Sequence, residues 1–114
     1  MAKKISTEEV KSKLDKNENF YLIDTLAANS FEARHIPGAK SMPYGTDFIK
    51  QFEQVINAQK DAEIITYCAS NGCQLSALAA NALEEAGYTN VGHYVDGLAG
   101  WQNAGHKFEG EATK

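Results

Sequence analysis

Glu63-Ile64-Ile65-Thr66-Tyr67-Cys68-Ala69-Ser70-Asn71-Gly72-Cys73-Gln74-Leu75-Ser76-Ala77 is the stretch on which the fold turns. Its first five residues form a β-branched run that reads as a strand and delivers Cys68 at its end. A short Gly-containing loop, Ala69 to Gln74, follows. From Ser76 onward the spacing of Leu75, Leu78, Ala79, Ala82, Leu83 and Ala86 changes to the helical period, and Gly87 is placed as a C-terminal cap. The Ala-rich helix so predicted packs closely on a sheet.

The same alternation continues in both directions. Upstream, Phe20-Tyr21-Leu22-Ile23 is a continuous apolar run between polar residues, the mark of a strand covered on both faces, with Asp24 at its C-terminal end. His35-Ile36-Pro37-Gly38-Ala39 reads as a turn, because Pro fixes φ and Gly permits positive φ. Phe48, Ile49, Phe52, Val55 and Ile56 recur at helical spacing. Near the start, Ser6 and Glu9 have the spacing of a capping box, and they open a helix through Val10 and Leu14 that ends near Asn17. Downstream, Val91 to Val95 reads as a last strand, and a short helix begins in Gly97-Leu98-Ala99-Gly100-Trp101. Strands separated by helices predict right-handed crossovers and a parallel sheet with helices on both faces. In such sheets ligands bind beyond the carboxyl ends of the strands. The polar segments before Ile5 and after Phe108 are predicted to fray.

At 114 residues, 43% hydrophobic and 23% charged, the chain has the composition of one globular domain over 1–114, with its core at about 5–108. A net charge of −4 argues against nucleic-acid and anionic-membrane partners, which select for clustered Lys and Arg. A small molecule or a protein is the expected partner. No apolar run approaches the roughly 18 residues of a membrane span, and Met1-Ala2-Lys3-Lys4-Ile5-Ser6 lacks the apolar middle of a signal peptide, so a cytoplasmic location is expected. Two cysteines do not make a disulfide scaffold; in a reducing compartment they point to chemistry or to a metal. Metal is the weaker reading, because His35, His93 and His106 are scattered without paired spacing.

A strand, then Cys68, then a loop opening into a helix places a thiol before a helix N-terminus. Unpaired N–H groups and the positive end of the helix dipole favour a thiolate there and lower its pKa. The same donors would stabilise a persulfide anion. The alternative is an inert Cys68 that ends a buried strand as a small hydrophobe.

Most of the chain resembles the rhodanese family. Leu22-Ile23-Asp24 is similar to that family's strand ending in Asp, and Phe31-Glu32-Ala33-Arg34-His35-Ile36-Pro37-Gly38-Ala39 resembles its segment before the second strand. Tyr67-Cys68 resembles the active-site strand end, and Ala86-Gly87-Tyr88 with Val91 the helix exit that follows. Asp96-Gly97-Leu98-Ala99-Gly100-Trp101 with Ala104-Gly105 resembles the C-terminal signature. The resemblance implies a three-layer α/β domain and a sulfurtransferase. Cys68 would take a sulfane sulfur from a small-molecule donor and pass it, as a persulfide, to a thiol or protein acceptor. It implies no metal and no organic cofactor. His35 and Trp101 are then expected to be elements of the fold, with Trp101 covering the sheet.

The departures from the family lie in the loop. Many single-domain members carry a shorter loop with an Arg near its end, whereas Ala69, Ser70, Asn71, Gly72, Cys73 and Gln74 hold no charge. The length resembles that of rhodanese-related phosphatases, in which an Arg six places after Cys grips phosphate. Here that place is Gln74, whose amide offers neutral hydrogen bonds of roughly half the strength. Phosphatase chemistry is disfavoured, and a low-charge or persulfidic donor is expected. Ser70, Asn71 and Gln74 are candidate neutral donors in the pocket or ordinary turn residues. Arg34 is the only arginine, so it or Lys40 is the candidate anion contact; the alternative for both is a solvated surface cation. Asp24 either orients loop N–H groups or caps the next segment. Cys73, five residues after Cys68, is either a resolving thiol or a small residue packed under the loop with its side chain turned away. Two further readings stand beside sulfur transfer: a thiol redox or sensing protein using Cys68 and Cys73, and a non-catalytic rhodanese-like module that binds another protein.

Overall fold

The computed structural model describes residues 2–70 and 72–111. In chain order the elements are β1 (Lys3–Ile5), α1 (Thr7–Asp15), β2 (Tyr21–Asp24), α2 (Ala28–Ala33), β3 (Lys40–Ser41), α3 (Phe48–Val55), β4 (Ile64–Tyr67), α4 (Leu75–Glu85), β5 (Val91–Tyr94) and α5 (Gly97–Asn103). The strands form one parallel sheet in the order β1-β5-β4-β2-β3. Registry across the centre places Asp24 beside Tyr67, Tyr67 beside Tyr94 and Thr66 beside His93. The strand carboxyl ends therefore share one edge.

Because side chains alternate across a strand, the apolar run of β4 feeds two cores. Ile23, Ile64 and Val91 pack with Phe48 and Phe52 of α3 and with Ala79, Ala80 and Leu83 of α4. On the other face Leu22, Ile65, Tyr67 and Tyr94 pack with Val10 of α1 and with Leu98 and Trp101 of α5. This is the three-layer arrangement expected from the strand–helix alternation. The Ser6/Glu9 capping box is formed in both directions. Gly87 takes the left-handed conformation, φ +102°, just past the end of α4. Trp101 is buried, with its indole N–H donated to the Lys107 carbonyl at 2.9 Å. Among the described residues no helix is long and apolar enough to cross a membrane.

The chain ends depart from expectation. Lys3–Ile5 does not fray but adds an edge strand, paired in register with Gly92, His93 and Tyr94 of β5. Beyond Phe108, Glu109 forms an antiparallel bridge to His35, exchanging N–H···O bonds of 2.7 and 2.9 Å. Both segments are polar in sequence, and backbone pairing holds them, a term that hydropathy does not register. One short element, α2, lies outside the sequence reading, and the second strand that the resemblance implies after Ala39 is the two-residue β3. A six-residue helix without a side-chain cap and a two-residue strand are too short to show periodicity.

Candidate active site

Cys68 follows the last residue of β4 and is 1% exposed. Two contacts behind it fix the strand end: its carbonyl accepts from the Leu98 N–H at 3.0 Å, and the Ala69 carbonyl accepts from the Ala99 N–H at 2.8 Å. The start of α5 thus docks on the backbone of the thiol-bearing turn. Gly97 makes the approach possible, since a Cβ at that position would stand 2.1 Å from the Cys68 carbonyl oxygen and its φ is +57°.

Beyond Cys68 the loop folds back, with the Cys73 N–H donated to the Ser70 carbonyl at 3.0 Å. Ala69, Gly72 and Gln74 are exposed, and Ser70 and Cys73 are half-buried. Asn71, also expected to line the pocket, lies outside the described residues. Gln74 is the cap residue of α4 and its carbonyl accepts from Leu78; its side chain makes no capping bond. Ser70 faces a cleft of about 490 Å3 lined also by Thr7, Glu8, Asp96 and Asn103. Its charged walls are acidic.

The Cys68 Sγ has three polar neighbours. Its proton can go to the Cys73 carbonyl at 3.4 Å or to the Ser76 Oγ at 3.2 Å, and it interacts with the Cys73 thiol. Both cysteines are free thiols, and each influences the acidity of the other. Their acidities split in a way the sequence reading did not anticipate. Burial pushes the Cys68 thiol up from its ordinary value and Cys73 adds to the push, while the Ser76 hydroxyl and N–H pull the other way without overcoming it. Burial acts against Cys73 too, but the Cys68 thiol and the N–H groups of Leu75 and Ala69 outweigh it, so Cys73 lies below its ordinary value. The lowered pKa expected at Cys68 is not found there, because burial outweighs the Ser76 hydroxyl and N–H.

The Ser76 Oγ, in the first turn of α4, is also 2.8 Å from His93 Nε2 on β5. Sequence reasoning missed both residues. A lone Ser and a lone His separated by 17 positions carry no motif, and only the pairing of β4 with β5 places His93 under the start of α4.

The remaining candidates are placed elsewhere. Asp24 is buried and accepts from the Leu26 N–H and from the Tyr67 hydroxyl, both at 2.9 Å, so it caps the turn after β2. Burial, its largest influence, leaves its carboxyl above the ordinary value against those bonds and the neighbouring His35. Arg34 donates to Gln102 at 2.9 Å and covers the Phe108 ring at 4.7 Å, and neither partner belongs to the loop. Lys40 is exposed on β3. His35 stacks on Phe31, with ring centroids 3.9 Å apart, and bonds the Phe31 carbonyl through Nδ1.

A parallel sheet that sets a thiol at the carboxyl end of a central strand, before a helix start and under a short loop, defines a class of small α/β domains. The chain belongs to the rhodanese-like domain family, whose family model matches residues 6–104. Among solved structures it is similar to the rhodanese-like domain of an Anabaena sp. protein, at 27% identity and TM-score 0.84, covering 98% of this chain and 82% of that one. A Bacillus halodurans protein aligns at 22% identity and TM-score 0.84, covering 97% and 79% of the two chains. The thiosulfate sulfurtransferase from Pseudomonas aeruginosa aligns at 24% identity and TM-score 0.82; the match covers 99% of this chain but 21% of that enzyme. These last two show the fold alone. No curated protein matches the chain.

Proposed function

We propose that this chain is a sulfurtransferase that carries sulfane sulfur as a persulfide on Cys68 and passes it to a thiol. The observation that carries the reading is the place of Cys68 Sγ: at the carboxyl end of β4, beside the first turn of α4, in a rhodanese-like fold. Loading would be nucleophilic attack of the Cys68 sulfur on the outer sulfur of the donor, and unloading attack of the acceptor thiol on the persulfide. The uncharged loop from Ala69 to Gln74 disfavours a dianionic donor such as thiosulfate and favours a persulfide. Intact-mass analysis after incubation with thiosulfate and, separately, with glutathione persulfide tests this. The expected result is a gain of one sulfur, faster from the persulfide, retained in Cys73→Ser and absent in Cys68→Ser. No adduct from either donor on a protein whose Cys68 is alkylated by iodoacetamide would sink it.

The interaction between the two thiols favours a second reading, a redox role for the same pair. Cys73 would attack the inner sulfur of the Cys68 persulfide, form the Cys68–Cys73 disulfide and release sulfide. Mass mapping of persulfide-loaded protein should show a loss of two hydrogens linking the two peptides; loaded protein that stays unlinked would retire this role.

A further inference from the structure

If Cys68 is the sulfur carrier, something must take its proton, and the buried thiol has the Ser76 hydroxyl beside it. Resting on that reading, we propose that His93 accepts and returns the Cys68 proton through the Ser76 hydroxyl, along a path that leads out between β1 and α4.

The geometry is a continuous chain, 3.2 Å from Cys68 Sγ to Ser76 Oγ and 2.8 Å from Ser76 Oγ to His93 Nε2. Ser76 is held in place by the Thr66 hydroxyl, which donates to its carbonyl at 2.8 Å. Thr66 and His93 are register partners on β4 and β5, and Cys68 follows Thr66 by two residues, so all three side chains reach the α4 face. The groups facing His93 are Lys4 from β1, the neutral Ser76 and Asn81 from α4, and the neutral Thr66 from β4. Burial first and Lys4 second hold the imidazole below its ordinary value, so it is neutral at pH 7 with a lone pair to offer. Beyond it lies an opening of about 150 Å3, lined by Ala2, Lys4, Ala77, Ala80 and Asn81, which shares no residue with the cleft at Ser70. The proton therefore has a way to solvent past His93.

In loading, the Cys68 sulfur attacks the outer sulfur of a donor R–S–S–H. The new S–S bond forms as the donor's own S–S bond breaks, and the electron pair leaves on the donor thiolate. The Cys68 proton passes to Ser76 Oγ as the Ser76 proton passes to His93 Nε2. In unloading, an acceptor thiolate attacks the outer sulfur, the electron pair returns to the Cys68 sulfur, and the imidazolium sends the proton back along the same chain.

Two measurements on the reduced full chain test the relay without a sulfur donor. Nitrogen-15 NMR at pH 7 should find His93 as the Nδ1–H tautomer with Nε2 accepting; an Nε2–H tautomer reverses the chain and overturns the proposal. Iodoacetamide labelling of Cys68, read by peptide mass mapping from pH 5 to 9, should be about a hundredfold slower at pH 7 in His93→Gln and in Ser76→Ala. The deficit should close as pH rises and hydroxide forms the thiolate, and the double variant should be no slower than either single one. A deficit equal at every pH, or none, would mark His93 and Ser76 as structural only. Failure of the wild type to take up sulfur from glutathione persulfide, with the pH-dependent deficit present, would remove the sulfurtransferase reading and leave the relay standing.

Discussion

Tyr67 and Cys68 are neighbours in sequence and face opposite sides of the sheet, and their surroundings differ in kind. On the side of α1 and α5, the Tyr67 hydroxyl accepts from the Ile36 N–H at 3.2 Å and donates to Asp24, whose other oxygen accepts from Leu26. Every direction there is settled by a backbone N–H. Burial and the adjacent Asp24 push the Tyr67 phenol far above its ordinary range, so its proton stays where it is. On the side of α4, Cys68, Ser76 and His93 form a chain in which each link can run either way, and its last member opens to solvent. The comparison teaches that a buried polar network performs chemistry only when its protons can change hands and one end reaches water.

Substitutions can break this contrast, the largest effect falling on the open side. Cys68→Ser should lower sulfane transfer from glutathione persulfide to a thiol by about a thousandfold or more, since an alcohol cannot carry the sulfur, while the melting temperature stays near that of the wild type. Thiocyanate released on cyanolysis of the loaded protein measures it; transfer surviving in this variant would move the chemistry to Cys73.

On the closed side, stability should fall before chemistry does. Trp101→Ala empties a site in the core shared with Tyr67 and should cost about 3–5 kcal/mol in urea unfolding. Unchanged melting would show that Trp101 does not hold the sheet's cover. Tyr67→Phe is subtler: it leaves the Ile36 N–H and one Asp24 oxygen without their partner, for a loss of about 1–3 kcal/mol with sulfur loading intact. A fall in loading without a fall in stability would show that the two sides are coupled through β4.

The smallest effect sharpens the closed side by pH. Asp24 has a folded pKa above its ordinary 3.8, so its contribution to stability is fully present below that pH and is lost as pH rises through the raised folded value. Asp24→Asn does not ionise and escapes this loss. Its stability relative to the wild type should therefore rise with pH from 3.8 upward, measured by urea unfolding at a series of pH values; a difference that does not change with pH would show that Asp24 titrates alike in both states.

Local sequence was enough for much of this. The β-branched run ending at Tyr67, the apolar run ending at Asp24, the capping box at Ser6 and the helical spacing after Ser76 each contain their own signal, because strand and helix periods are written in consecutive residues. They carried the three-layer fold, the place of Cys68 and the uncharged character of the loop. Other features depend on distant residues meeting. Lys3–Ile5 is a strand because β5 offers it a partner, and Glu109 is ordered because His35 does. The second oxygen of Asp24 is satisfied because Tyr67 reaches it from the neighbouring strand. The acidity of the two thiols follows from burial and from their effect on each other, neither of which is written in consecutive residues. The chain from Cys68 through Ser76 to His93 is the clearest case: its members come from a strand end, a helix start and the next strand, and hydrogen bonds of about 3 Å exist only once parallel pairing has set the register.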